Sequence, residues 1–234
     1  MCGRYTLKID GKDLAALFAL PELPDFPHRY NIAPTQRVAM IRMSETVGDR
    51  QLAMVRWGFI PAWAKEMPSQ APLINARLET AHEKPTFRSS FQSRRCLIPA
   101  DGFYEWRRST DKQPFVFQLP DEQPFAFAGL WDRWQGPDGQ IIESCAMLTT
   151  EANMVMAPIH HRMPTILPPT HYDAWLDPGH QHPERLRAVL AASLCDRLIA
   201  KAVSTRVNKA VNDDPACLAP PEPAPLSREM TLFD

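Results

Sequence analysis

The sequence predicts one α+β domain whose centre is a curved, mostly antiparallel sheet or open β-barrel, with helices packed around it. Three observations lead there. Short β-prone apolar runs recur along the chain, helical spacing is confined to a few brief stretches, and 234 residues hold 24 prolines against only 9 glycines. Such a balance favours short elements joined by stiff connections. The length suits one substantial core, so the domain is drawn over residues 1–218, with residues 219–234 as a flexible proline-rich tail.

Arg4 to Ile9 alternates as a strand does, and Asp13 to Phe18 has helical spacing that Pro21 stops. A proline-punctuated loop from Pro21 to Pro27 precedes Tyr30-Asn-Ile-Ala-Pro34. Val38 to Arg42 and Leu52 to Trp57 read as two strands joined by a polar turn containing Gly48-Asp49. Further β runs are Cys96 to Pro99, Phe103 to Arg107, Phe115 to Leu119, Phe125 to Trp131 and Ser144 to Thr150. Glu151 to Met156 reads as a short helix, as do Tyr172 to Leu176 and Pro183 to Leu194. Beyond these, Ala219-Pro-Pro-Glu-Pro-Ala-Pro225 is extended and stiff, and carries Ser227 to Asp234 away from the domain.

Composition narrows the function classes. Net charge is −1, so any nucleic-acid surface must be a local patch rather than a basic coat. No apolar run approaches the roughly 20 residues of a membrane span, and the start of the chain does not resemble a signal peptide. Cys2, Cys96, Cys145, Cys195 and Cys217 are odd in number and contain no CxxC pair. Reduced thiols in a cytoplasmic protein are expected, with neither a disulfide framework nor a zinc knuckle. No metal and no cofactor is called for.

The chemistry concentrates at Met1-Cys2-Gly3-Arg4. Trimming of the initiator methionine before a small second residue leaves Cys2 as a 1,2-aminothiol. Its amine and thiol, with ordinary pKa values of about 8 and about 8.5, are both partly nucleophilic near neutrality. The amine can condense with an aldehyde to an imine, on which the thiol closes a thiazolidine ring. Alternatively the thiol attacks an acyl carbon with the amine as base.

Three internal segments place reactive groups in rigid surroundings. Glu105 sits among aromatics in Asp101-Gly-Phe-Tyr-Glu-Trp106, where desolvation would raise its pKa toward neutrality. His160, His161 and Arg162 lie between Pro158 and Pro164, a place for a proton donor beside a phosphate contact. Zinc fits poorly there, because adjacent histidines point apart in an extended chain. Asn75 and Arg77 alternate, so on a strand both share one face, either to orient a sugar and its phosphate or as a structural arginine pair. Trp57, Phe59 and Trp63, with Pro61 as a wedge, form either core or a shelf on which bases stack.

Together these segments resemble the SRAP (SOS-response-associated peptidase) family of abasic-site processing proteins. The likeness runs from Met1 to about Pro220. It also takes in Tyr30–Pro34, Trp57–Trp63, Asn75–Thr80, Arg95–Trp106, Phe127–Trp131, Leu148–Asn153, Ile159–Pro164 and Val207–Asp214. The resemblance implies the SRAP fold and covalent capture of abasic single-stranded DNA as a DNA-protein crosslink in the DNA damage response. It also implies peptidase-like removal of Met1 and AP-lyase chemistry. By carry-over, Cys2 supplies amine and thiol, Asn75 orients the sugar or the amino terminus, Glu105 moves protons, and His160 assists sugar opening. Arg4, Arg77 and Arg162 would contact phosphates, with Trp106 and Trp57, Pro61 and Trp63 beside the bases. Such a protein would be cytoplasmic and nucleoid-associated, with no membrane partner.

Glu229-Met-Thr-Leu-Phe233 resembles a sliding-clamp-binding peptide, through Met230, Leu232 and Phe233. Two other functions start from the same residues. An N-terminal-nucleophile glutamine amidohydrolase also begins Met-Cys-Gly, but those enzymes continue into glycine-rich loops, and Arg4 follows here. A noncovalent reader of single-stranded or modified DNA would use the same basic and aromatic groove without the chemistry.

Overall fold

Strand follows strand for most of the chain, because apolar β-prone runs are cut every few residues by proline, glycine or charge. The computed structural model describes residues 2–44, 48–108, 112–179, 182–191 and 194–222. The order is β1 (Arg4–Leu7), α1 (Gly11–Phe18), β2 (Arg29–Ile32), β3 (Arg37–Met43), β4 (Arg50–Trp57), β5 (Asn75–Arg77), α2 (Leu78–Ala81) and α3 (Arg88–Ser93). Then come β6 (Arg95–Ala100), β7 (Gly102–Trp106), β8 (Pro114–Gln118), β9 (Phe125–Gln135), β10 (Ile141–Glu151), β11 (Arg162–Pro164) and β12 (Ile166–Leu167). The chain continues through α4 (Tyr172–Leu176), α5 (Pro183–Ala191) and β13 (Ile199–Ala202).

Two sheets form. The larger closes on itself: β10 pairs parallel with β4 through Cys145 opposite Trp57, and antiparallel with β9 through Cys145 opposite Trp131. The circuit β10-β4-β3-β6-β9 is therefore a closed five-stranded barrel, with β5, β11 and β12 added at its margins. Closure removes the exposed edges that an open sheet would present. Every residue of β6 is buried, which matches its apolar run from Cys96 to Ala100, while the guanidinium of Arg95 is bonded to backbone carbonyls. The smaller sheet runs β13-β8-β7-β1-β2.

Tyr5 of β1 joins the two sheets. Its ring lies edge-on to Trp57 of β4 at 5.4 Å and to Phe127 of β9 at 5.9 Å, contacts worth about 0.5–1.5 kcal/mol each beyond the area they bury. Phe103 of β7 meets Phe127 at 5.9 Å and stacks on Phe117 of β8 at 5.1 Å. The N-terminal strand is thus pinned between the barrel and β7. Gly102 permits this close approach, since a Cβ there would stand 2.9 Å from Thr6 Oγ1.

Glu151 to Met156 is not a helix: β10 runs on through Glu151 and gives way to turns. Pairing of Thr149, Thr150 and Glu151 with β11 holds that stretch extended, so tertiary context overrides its helical composition. The helix expected from Pro183 is described to Ala191. The clamp-like peptide with Met230, Leu232 and Phe233 lies outside the described residues.

Candidate active site

Cys2 enters β1 at the seam between the sheets. It is buried, and its Sγ–H lies 3.7 Å from the Arg4 carbonyl oxygen. Pairing of Arg4 with Tyr104 and Tyr5 with Phe103 fixes β1 against β7, and that register, continued one step, sets Gly3 opposite Glu105. Burial drives the Cys2 thiol well above its ordinary pKa, and the Glu105 charge adds to the effect. The thiol is therefore neutral at pH 7.

Asn75 reaches Cys2 from the barrel side. It opens β5, a three-residue strand held parallel to β10 with Asn75 opposite Met147, and its Nδ2 donates to the Cys2 carbonyl at 3.0 Å. The Asn75 Oδ1 is buried with no hydrogen-bond partner among the described residues. An unpaired buried acceptor costs about 1–3 kcal/mol, so the orientation of this amide is not explained by stability.

Glu105, on β7, is 5 % exposed. Burial raises its pKa, while the charge at the amino terminus, a hydrogen bond from it and the Arg108 charge pull the other way. His160 follows the turns after β10 and is also buried. Its Nδ1 lies 3.0 Å from both the carbonyl oxygen and the N–H of Arg162, and its Nε2 lies 3.3 Å from Arg108 Nη2. Burial lowers its pKa, and the positive charges of the amino terminus, Arg108 and Arg162 lower it further. The ring is thus neutral at physiological pH. Asn75 and Glu105 thus act on Cys2, and Glu105 and His160 both feel the Arg108 charge.

The expected DNA-contacting residues divide. Arg77 is exposed and lines an open groove of about 470 Å³ with Glu151, Ala152, Ala157, His161 and Arg162. Arg162 faces the groove, but its guanidinium is engaged: Nη1 and Nη2 each donate at 2.8 Å to the Glu79 carboxylate, and Nη2 also donates to the Thr149 carbonyl. A phosphate there would have to share this fork. Arg4 donates to Asn31 Oδ1 at 2.9 Å and to the Val207 carbonyl at 2.7 Å, and lies 5.9 Å from the Trp106 ring. Trp106 is half-buried and donates to Asn208 Oδ1.

The aromatic shelf needs correcting. Trp57 is 0 % exposed, with its indole N–H bonded to the Ile74 carbonyl, and Phe59 and Pro61 are buried as well. None of these can meet a base. Trp63 alone of the segment's aromatics is open, at 66 % exposure. The histidines also depart from expectation: the rings of His160 and His161 do not point apart but stack at 4.5 Å.

Sequence reading passed over Arg108, Glu79 and Asn31. Asn31 donates to the carbonyls of Val207, Lys209 and Asn212, and Asp213 accepts from the backbone N–H groups of Tyr30 and Asn31. The Tyr30–Pro34 and Val207–Asp214 segments are thus two halves of one brace behind Arg4.

Residues 1–210 match the family model described as SOS response associated peptidase (SRAP). The abasic site processing protein YoqW of Bacillus subtilis (strain 168) is 39% identical over 220 residues, covering 92% of this chain and 97% of YoqW. The abasic site processing protein HMCES of Xenopus tropicalis is 34% identical over 195 residues, covering 73% of this chain and 58% of HMCES. A crystal structure from Bordetella bronchiseptica superposes with a TM-score of 0.75 at 34% identity, over 87% of this chain and all of that one. Another, from Bacteroides thetaiotaomicron, gives 0.79 at 24% identity, over 94% and 99%, and speaks to the fold alone. The chain belongs to the SRAP family.

Proposed function

We propose that this protein processes abasic sites in single-stranded DNA by capturing them as a thiazolidine on Cys2 after Met1 is removed. The observation that carries the reading is the Asn75 amide on the Cys2 carbonyl, with Glu105 beside it. These groups hold the residue whose backbone nitrogen becomes an α-amine once Met1 is gone. Its relatives YoqW and HMCES carry the name abasic site processing protein.

The first step is hydrolysis of the Met1–Cys2 peptide, a peptidase reaction assigned to the same pocket. Water adds across the bond, releasing methionine and freeing the amine. The abasic sugar then opens: its C1 hydroxyl gives up a proton, O4 takes one up, and C1 becomes an aldehyde. His160, neutral and buried, accepts and returns that proton. The Cys2 amine adds to C1, and the carbinolamine loses water as the Glu105 carboxylic acid protonates the departing hydroxyl. Finally the thiol adds across the C=N bond, sulfur to carbon and proton to nitrogen.

The order follows from the electrostatics. Because burial and Glu105 hold the thiol neutral, the amine attacks first and sulfur closes the ring. Closure removes the C=N bond that water would attack. Before closure, the imine would also permit β-elimination of the 3′ phosphate, the lyase side reaction. Arg77 and the groove edge would hold backbone phosphates, and Trp63 would stack on a base.

The test is denaturing electrophoresis of the purified chain with an abasic single-stranded oligonucleotide. A heat-stable slow band is expected from the processed chain, and none from Cys2→Ala or from a chain whose N-terminal extension cannot be removed. A band unaffected by either change would contradict the mechanism, and its general absence beside salt-sensitive binding would favour a noncovalent reader. For the tail we infer docking to a replication sliding clamp through Met230, Leu232 and Phe233. Equal clamp capture by the full chain and by one ending at Pro225 would remove that inference.

A further inference from the structure

The arginines near the reactive residues differ in what already occupies their guanidinium groups. Arg162 has both Nη atoms on the Glu79 carboxylate, and Arg4 gives its Nη1 to Asn31 and to the Val207 carbonyl. Little of either fork is left for a ligand. Arg108 is exposed, two residues past the end of β7 in the connection to β8. Among the described residues its guanidinium has no carboxylate partner, and its one hydrogen-bonding contact is Nη2 at 3.3 Å from His160 Nε2. A guanidinium carries five N–H donors in a planar fork, so most of those of Arg108 remain for a ligand.

The position of Arg108 says what that ligand is. His160, which it touches, stacks on His161 at 4.5 Å, and His161 lines the open groove with Arg77. The stacked histidines therefore link two exposed arginines, Arg77 in the groove and Arg108 beyond β7. We propose that Arg108 binds a phosphodiester of the captured strand, the one joined to the abasic sugar, while Arg77 holds another phosphate along the groove. This rests on the function proposed above, in which His160 acts on that sugar, so a cation touching His160 stands where the linkage beside the sugar must pass. A planar fork matches the paired oxygens of a phosphodiester, and such contacts set the register of a strand without reading its bases. The surroundings favour an anion as well. The Arg108 charge opposes protonation of His160 and His161, and a phosphate on the guanidinium relieves that repulsion.

The test is fluorescence anisotropy with a single-stranded oligonucleotide carrying tetrahydrofuran in place of the abasic sugar. Tetrahydrofuran lacks the C1 hydroxyl and cannot open to an aldehyde, so only binding is read. Arg108→Gln should weaken binding about tenfold at low salt and lower the slope of log Kd against log salt by about one unit, with an unchanged melting temperature. Arg108→Lys, which keeps the charge, should keep the slope. Adding Arg77→Ala to Arg108→Gln should remove about one further unit, as expected for two separate phosphates. Replacing one of the two phosphates that flank the tetrahydrofuran by a neutral methylphosphonate should erase the difference between wild type and Arg108→Gln. The same replacement several nucleotides away should leave that difference intact. Equal affinity and slope in wild type and Arg108→Gln, or a difference that survives neutralisation at both flanking positions, would overturn the proposal. Because no adduct forms on tetrahydrofuran, this outcome is independent of the Cys2 assay: a chain that never forms an adduct yet passes here uses Arg108 as a noncovalent reader would.

Discussion

The barrel and the pocket at its seam bury their residues to opposite ends. In the barrel, Met40, Leu97, Phe127 and Met147 are fully buried and apolar, so nearly all the free energy there comes from area removed from water. Around Cys2, equal burial is imposed on the Cys2 thiol, the Glu105 carboxyl and the His160 imidazole, and on the Asn75 Oδ1, which has no hydrogen-bond partner among the described residues. Each of those costs stability. The barrel therefore supplies the surplus on which the pocket draws. Tyr5 is the joint between them, packing on Trp57 and Phe127 while its strand presents Cys2.

Substitutions on each side test that division of labour. The largest effect is expected at Cys2: Cys2→Ala should lower adduct formation by more than about 100-fold and leave the melting temperature nearly unchanged. Glu105→Gln should slow the adduct by about 10²–10⁴-fold, and its stability should vary with pH. Burial raises the folded-state pKa of Glu105 above its unfolded value, so wild type loses stability as pH rises through that folded value. Thermal melts should therefore show Glu105→Gln gaining on wild type at pH 8, with no gain at pH 4. On the barrel side, Phe127→Ala should cost about 3–5 kcal/mol in denaturant unfolding, while the protein that stays folded forms adduct at a near-normal rate. Loss of adduct in step with lost chemistry rather than lost fold would dissolve the distinction.

Smaller effects are expected at the DNA groove. Arg77→Ala should weaken binding of single-stranded DNA and flatten the salt dependence of log Kd by about one unit. Trp63→Ala should cost at most about 1–3 kcal/mol of binding, measured by fluorescence anisotropy, with no change in melting. Trp57→Phe should do the reverse, lowering stability with no direct effect on affinity.

The strands of the barrel were legible because Phe125 to Trp131 and Cys96 to Pro99 are apolar without interruption, as burial on both faces requires. Closure was not legible, since it depends on one long-range parallel pairing between β4 and β10. Strand β13, Ile199–Ala202, is a short edge whose exposed Ile199 and Lys201 leave little pattern to read. Within the site, Cys2, Asn75, Glu105 and His160 stood out because each combines a reactive group with rigid or aromatic neighbours. Arg108 did not, because a lone arginine in a polar connection looks like any solvated charge until the fold brings it to His160. The Trp57 shelf misled for a related reason: aromatic spacing is the same whether a ring faces a base or a barrel interior.

Capture by Cys2 stands or falls on the intact mass of the species formed with an abasic single strand. A thiazolidine at a processed Cys2 predicts the mass of the chain without Met1, plus that of the oligonucleotide, less one water. A stable adduct that still contains Met1, or an adduct of the expected mass formed equally well by Cys2→Ala, would contradict it.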